Sequence, residues 1–172
     1  LRDSPSACLP LDVGDVLDGR YELHELIGRG GYASVFRARQ LAIGREVAVK
    51  LLHPADDGSQ ERRAARFLRE AKIASSLRHP HVVGIHDFGV DARFAQPYLV
   101  MDLLEGHDLD TELRRHGPIC PSRAFRLCGN ALDALAIGHA RGIVHKDLKP
   151  SNLFVDDAAG VADREGVERV AA

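Results

Sequence analysis

The chain has 172 residues, enough for one sizeable domain or two small lobes. With 45% hydrophobic and 28% charged residues, its balance is that of an ordinary globular protein, which excludes disorder over most of its length. A net charge of −2 excludes a strong general attraction to nucleic acid or an anionic membrane, and no apolar run approaches the ~20 residues of a membrane helix.

Residues 1–19 are rich in Pro, Asp and Gly and read as a leader or linker. They show no basic flank followed by an apolar stretch, so a signal peptide is not expected, and Leu1 in place of Met suggests a fragment. From Tyr21 short extended runs follow: Tyr21 to Ile27, Ser34 to Gln40, and Glu46 to Leu52 with Val47 and Val49. Ser59 to Leu77 has helical periodicity, with Ala64, Phe67, Leu68, Ala71 and Ala74 on one face. The cluster Asp56-Asp57-Gly58-Ser59 reads as its start. Val82 to Phe88 and Tyr98 to Leu103 read as two more strands, giving five strands and one long helix before residue 105.

Beyond residue 105 the pattern turns helical. A short helix is predicted over Asp108 to Arg115, closed by Gly117-Pro118. A long one runs from Pro121 to Ala140, stopped by Gly142, with Phe125, Leu127, Ala131, Leu132, Leu135 and Ile137 inward. Leu153-Phe154-Val155 reads as a last short strand. The cysteines, Cys8, Cys120 and Cys128, are odd in number, fit no zinc spacing and read as reduced structural thiols.

Three segments carry chemistry. Gly28-Arg29-Gly30-Gly31-Tyr32-Ala33-Ser34-Val35 is a Gly-rich turn between strands, where backbone N–H groups can approach phosphate oxygens; an ordinary Gly-rich hairpin fits it equally. It lacks the Gly-Lys-Ser/Thr of a P-loop, and a strand follows it rather than the helix of a dinucleotide fold. Val47-Ala48-Val49-Lys50 ends an apolar strand on an ammonium, which calls for an acidic partner, a phosphate or an escape to the surface. Glu70 on the long helix is the candidate partner. His145-Lys146-Asp147-Leu148-Lys149-Pro150-Ser151-Asn152 lies in a loop between a helix and a strand. Its carboxylate can accept a proton, its Lys149 can neutralise a moving phosphoryl group, and its Asn152 can hold a hard cation.

Taken in order, these segments resemble the eukaryotic-type (Hanks-type) serine/threonine protein kinases in their bacterial form, from about Tyr21 to Val155. The resemblance implies an α+β protein-kinase-like fold: a five-stranded antiparallel N-lobe with one long helix, then the beginning of a mainly helical C-lobe. Residues 20–104 would be the ATP-binding lobe and hinge, 105–155 a partial C-lobe with the catalytic loop, and 156–172 an unmatched tail. It implies ATP and Mg²⁺ as ligands and protein Ser/Thr hydroxyls as substrates. Asp147 would be the base and Lys149 its cationic partner, with Asn152 a metal ligand. Gly28, Gly30, Gly31, Val35, Ala48, Lys50, Glu70, Met101, Leu104, Asp108 and Phe154 would form the ATP site. Met101 resembles the gatekeeper, Asp102 to Leu104 the hinge, Asp108 the ribose contact and Phe154 the floor beneath adenine. Lys149-Pro150 separates the chain from small-molecule phosphotransferases.

Three departures stand out. Ala33 replaces the third loop glycine, Lys146 replaces the usual Arg, and no Asp-Phe-Gly occurs after Val155, although Asp156, Asp157 and Asp163 are present. Glu168-Arg169-Val170 reads as the strand that precedes such a motif. The resulting expectation is a truncated kinase that folds poorly alone, or only in its N-lobe, with negligible turnover and a cytoplasmic location, membrane anchoring of the parent protein through other regions being left open. The alternative is a non-catalytic module that binds nucleotide or a partner.

Overall fold

Alternation in the first hundred residues builds a sheet. In the computed structural model, which describes residues 11–55, 57–156 and 168–170, the chain divides into two units. One comprises residues 1–75 and 85–103, the other 76–84 and 104–172. The expected leader residues 1–10 with Cys8, the helix-start residue Asp56, and tail residues 157–167 (with Asp157 and Asp163) and 171–172 lie outside the described residues.

The first unit holds strands β1 (Val16–Leu17), β2 (Tyr21–Arg29), β3 (Ala33–Gln40), β4 (Arg45–Leu52), β5 (Ile85–Asp91) and β6 (Gln96–Met101), with helix α1 (Gln60–Ala74). The strands form one antiparallel sheet in the order β1-β2-β3-β4-β6-β5. Strand β3 shows the period of two: Ser34, Phe36 and Ala38 are buried and their neighbours are not. Phe36, Ala38, Val47, Val49, Leu51, Tyr98 and Val100 join Tyr21 and Leu23 in the core. The predicted helical face is the one α1 buries. Ala71 and Ala74 are buried and Ala64, Phe67 and Leu68 half-buried, with α1 packed on β5 and β6. Ser59 is its N-cap residue but makes no side-chain cap bond; Gln60 instead accepts from the Ala55 N–H at 2.8 Å.

The stretch read as a leader has structure of its own. It contributes β1 as a sixth strand, and Leu11 and Leu17 belong to the core. Asp18 and Gly19, at φ 49° and 65°, make the turn into β2, closed by the Arg20 N–H on the Leu17 carbonyl at 2.9 Å. A polar network fixes this turn to the far edge of the sheet. The fully buried Asp91 carboxylate accepts N–H bonds from Asp18, Arg93 and Phe94 at 2.7, 2.9 and 3.2 Å. The Tyr98 hydroxyl donates to Asp18 at 2.9 Å and that of Tyr21 to Asp87 at 2.8 Å.

The second unit holds β7 (Gly106–Asp108), α2 (Leu109–His116), α3 (Pro121–His139), a single 3₁₀ turn (Pro150–Asn152), β8 (Leu153–Asp156) and β9 (Glu168–Val170). Strands β7, β8 and β9 pair antiparallel in that order, so Glu168-Arg169-Val170 is a strand, as its sequence suggested. Leu109, Leu127 and Val155 form a small core with Leu113, Ile119 and Leu153. Ala131 and Ala134 pack with Val82 and Leu153. Helix α3 departs from the expected inward set. Leu127 and Ala131 are buried and Leu135 and Ile137 half-buried, but Phe125 and Leu132 are 78% and 63% exposed. Apolar residues surround this helix, so its period alone could not choose the buried face.

Candidate functional site

The first unit gathers one group of expected site residues on one face of its sheet. Residues opposite each other in an antiparallel ladder point the same way. Val35 faces Lys50, Lys50 faces Leu99, and Ala48 faces Met101. These side chains therefore share a face, opposite to Phe36, Val49 and Val100 of the core. Gly28 pairs with Val35 on the neighbouring β2–β3 ladder.

The Gly-rich segment is the tip of the β2–β3 hairpin, closed by the Gly30 N–H on the Ala33 carbonyl at 2.9 Å. None of Gly28, Gly30 and Gly31 is at positive φ, and a Cβ at each would meet nothing closer than 3.6 Å. The fold of the tip thus leaves room for side chains at these positions. The glycines keep one side of the loop clear, as a close-approaching ligand requires. Ala33 is not at positive φ either, so the missing third glycine costs no strain.

Lys50 is half-buried. Burial lowers its pKa, and the charge of Glu70 acts in the opposite direction. The expected Lys50–Glu70 pair is not closed, because Glu70 accepts from Arg66 Nε one turn earlier on α1, at 2.9 Å. Both partners of that pair are well exposed. Asp102 in the hinge accepts from Arg45 at 3.2 Å and lies 2.8 Å from His86 Nε2, two contacts the sequence did not signal.

The second unit gathers the other group. Lys146 sits at φ 64°, in the left-handed region that a side chain enters at a cost, and the Asp147 N–H reaches back to the His145 carbonyl at 2.9 Å. This tight turn presents Asp147. Lys149 Nζ donates to Asp147 Oδ2 at 2.8 Å. Asn152 Nδ2 donates to the Asp147 carbonyl at 2.8 Å and to Oδ2 at 3.3 Å. The bond from Lys149 holds the Asp147 pKa below the usual carboxylate value; desolvation opposes it, and the Lys149 charge, the Asn152 amide and His145 add to the lowering. With its nitrogen so used, Asn152 has its Oδ1 left as a hard oxygen donor. Asp147 is exposed, so this assembly is solvated.

Asp108 caps α2. Its Oδ1 accepts from the Thr111 N–H and its Oδ2 from the Thr111 hydroxyl, each at 2.9 Å. Burial would raise its pKa, but these bonds hold it low. Asp108 and Phe154 are register partners on β7 and β8, so the ladder places the two residues expected at ribose and adenine side by side. Leu104 is half-buried in this unit. Among the described residues, no group of three or more His, Cys, Asp or Glu could hold a metal ion, and no helix is long and apolar enough to cross a membrane.

A family model described as protein kinase domain matches residues 21–163. Serine/threonine-protein kinase pkn3 of Myxococcus xanthus is 40% identical over 144 residues, covering 84% of this chain and 26% of its own length. Serine/threonine-protein kinase PknH of Mycobacterium tuberculosis is 43% identical over 148 residues, covering 84% of this chain and 23% of PknH. The chain thus spans about a quarter of the curated relatives it matches. The crystal structure of the Mycobacterium tuberculosis PknI kinase domain matches at a TM-score of 0.76 and 25% identity, over 94% of this chain and 62% of that one. The chain belongs to the protein kinase family, and its fold is protein-kinase-like.

Proposed function

We propose that this chain binds ATP and serves a serine/threonine protein kinase, transferring the γ-phosphoryl group to protein Ser or Thr hydroxyls. The observation that carries the reading is the Asp147–Lys149–Asn152 arrangement, one carboxylate held by an ammonium and an amide on a strained turn. Like any carboxylate Asp147 is ionised at neutral pH and can accept the proton of an attacking hydroxyl, and the neighbouring Lys149 holds its pKa low. Lys149 is placed to exchange its bond to Asp147 for one to a phosphoryl oxygen. Asn152 Oδ1 suits Mg²⁺, which would neutralise phosphate charge when bound. Lys50 would hold the α- and β-phosphates, with Val35, Ala48, Met101, Leu104 and Phe154 about the adenine. A cytoplasmic location fits this reading, since ATP is supplied there.

The test is Mg-ATP-dependent phosphorylation of a generic protein substrate. In the protein that carries this stretch, Asp147→Asn should cut turnover by about 10²–10⁴. Turnover left intact by that change would remove Asp147 from the chemistry. The 172 residues alone supply Asn152 but no Asp-Phe-Gly, and negligible turnover is expected of them by themselves.

The observed Arg66–Glu70 pair favours a second reading, a nucleotide- or partner-binding module without catalysis, because Lys50 then lacks its acidic partner. Calorimetry with ATP decides whether nucleotide binds at all. Binding by the chain should be lost in Lys50→Ala, and no heat at millimolar ATP would rule out nucleotide binding in both readings.

A further inference from the structure

His53 lies just beyond β4, outside every motif discussed above. It is 7% exposed and stands against the tip of the β2–β3 hairpin. Three of its groups reach that tip. Its backbone N–H donates to the Tyr32 carbonyl at 2.8 Å. Its Nε2 lies 2.8 Å from the hydroxyl of Ser34, a residue with no exposed surface. Its Nδ1 lies 3.4 Å from the Gly31 carbonyl. A carbonyl only accepts, so Nδ1 donates to Gly31, and Nε2 of that neutral tautomer accepts from the Ser34 hydroxyl. One tautomer satisfies both contacts.

The side of the hairpin involved matters. Ser34 faces Leu51 across the β3–β4 ladder, whereas Val35 faces Lys50. Ser34 and its His53 partner therefore lie behind the loop, on the core side of the sheet. The face shared by Val35 and Lys50 stays free. A second tie reaches the tip from α1, where the Arg63 guanidinium sits 5.3 Å from the Tyr32 ring.

We propose that His53 is a positioning residue for the Gly-rich loop, holding the backbone at Gly31, Tyr32 and Ser34 from behind so that its N–H groups meet nucleotide phosphates already in place. The proposal rests on the nucleotide-binding reading above. Gly30 and Gly31 make a tip with little stiffness of its own, and ordering it on binding would cost affinity. The buried imidazole moves that ordering into the folding of the sheet.

The experiment pairs amide hydrogen exchange with nucleotide binding on the protein that carries this stretch. His53→Ala and Ser34→Ala should each raise exchange at residues 30–34 by roughly tenfold, as expected for a lost buried hydrogen bond, while β6 stays protected. The double variant should add little to either single change, because both remove the same bond. His53→Asn, which keeps a donor near Gly31, should fall between. ATP should bind about tenfold more weakly to His53→Ala, and adenosine, which lacks phosphates, should bind as before. Equal loss for ATP and adenosine, or faster exchange across the whole sheet, would make His53 a merely structural residue and overturn the proposal. Unchanged exchange at the tip would overturn it too. A wild-type chain that binds no ATP would sink the nucleotide reading, and the exchange pattern would then decide separately whether His53 holds the hairpin.

Discussion

In the sheet unit Leu17, Leu23, Ala38, Val47, Val49, Leu51 and Val100 have no exposed surface, while among the described residues of the helical unit the best-buried apolar ones, Val83, Leu127 and Ala134, keep 4%. The sheet unit's core is continuous across its strands; the helical unit has two small clusters around α3. The chemistry is divided the other way. The strained turn, the ionised carboxylate and its cation lie in the helical unit. The sheet unit contributes a stiff face on which Lys50 and the Gly-rich loop are set. This difference predicts that folding stability and the Asp147 cluster can be perturbed separately.

The largest effect that would test this separation is a pair of leucine truncations. Leu23→Ala in β2 opens a cavity in the closed core and should cost about 2–5 kcal/mol. Leu132→Ala on α3 removes an exposed side chain and should stay within about 0.5 kcal/mol. Urea unfolding followed by amide exchange in each unit measures both. Comparable costs would show that α3 is covered in solution and that the contrast in burial does not hold there.

A smaller effect separates the units by pH. Burial alone would raise the pKa of Asp91, but the N–H groups of Asp18, Arg93 and Phe94, with the charge of Arg93, lower it below the ordinary value. A depressed carboxylate pKa adds stability that is fully present above the unfolded value, about 3.9. That stability is lost as pH falls through the folded value. The sheet unit should therefore keep its stability from pH 7 to about 5 and lose it below about 4. Asp91→Asn should flatten that acid limb in β1 and β5 while leaving α2 and α3 unchanged. In the helical unit Asp108 and Glu112 are also depressed, Asp108 against its own burial by Thr111 and Glu112 first by His107 and Arg123. A limb that shifts equally in both units would mean that they unfold as one.

The sequence showed the parts that depend on period and on specific local chemistry. The face of α1 was legible because Ala64, Phe67, Leu68, Ala71 and Ala74 repeat over about three turns. The Asp147 loop was legible because its eight residues are contiguous. Strand β1 has two residues and no period to read, and Leu11 lies before it among Pro, Asp and Gly, so the core roles of Leu11 and Leu17 stayed hidden. The cap role of Asp108 was open to inference from its place at the start of the predicted short helix. His53 and Ser34 meet across 19 positions, a contact that the register of two strands sets rather than any motif.

The smallest expected effect concerns Glu70, which pairs with Arg66 while its charge still acts on Lys50. Competition between Lys50 and Arg66 for one carboxylate is decided by side-chain geometry, which spacing along the chain does not encode. The Arg66–Glu70 pair is exposed and one turn apart, so its removal by Arg66→Gln should cost at most about 0.5 kcal/mol. The same change frees the one carboxylate whose charge already favours protonated Lys50. Glu70 should then turn toward Lys50 and raise its pKa, readable as a move of the Lys50 titration midpoint to higher pH in an NMR titration of the ammonium. Nucleotide affinity should change by a few-fold at most, in line with a solvated ion pair. A Lys50 titration that does not move would mean that α1 itself, rather than Arg66, keeps Glu70 away, and the obstacle would then be the packing of the helix on β5 and β6.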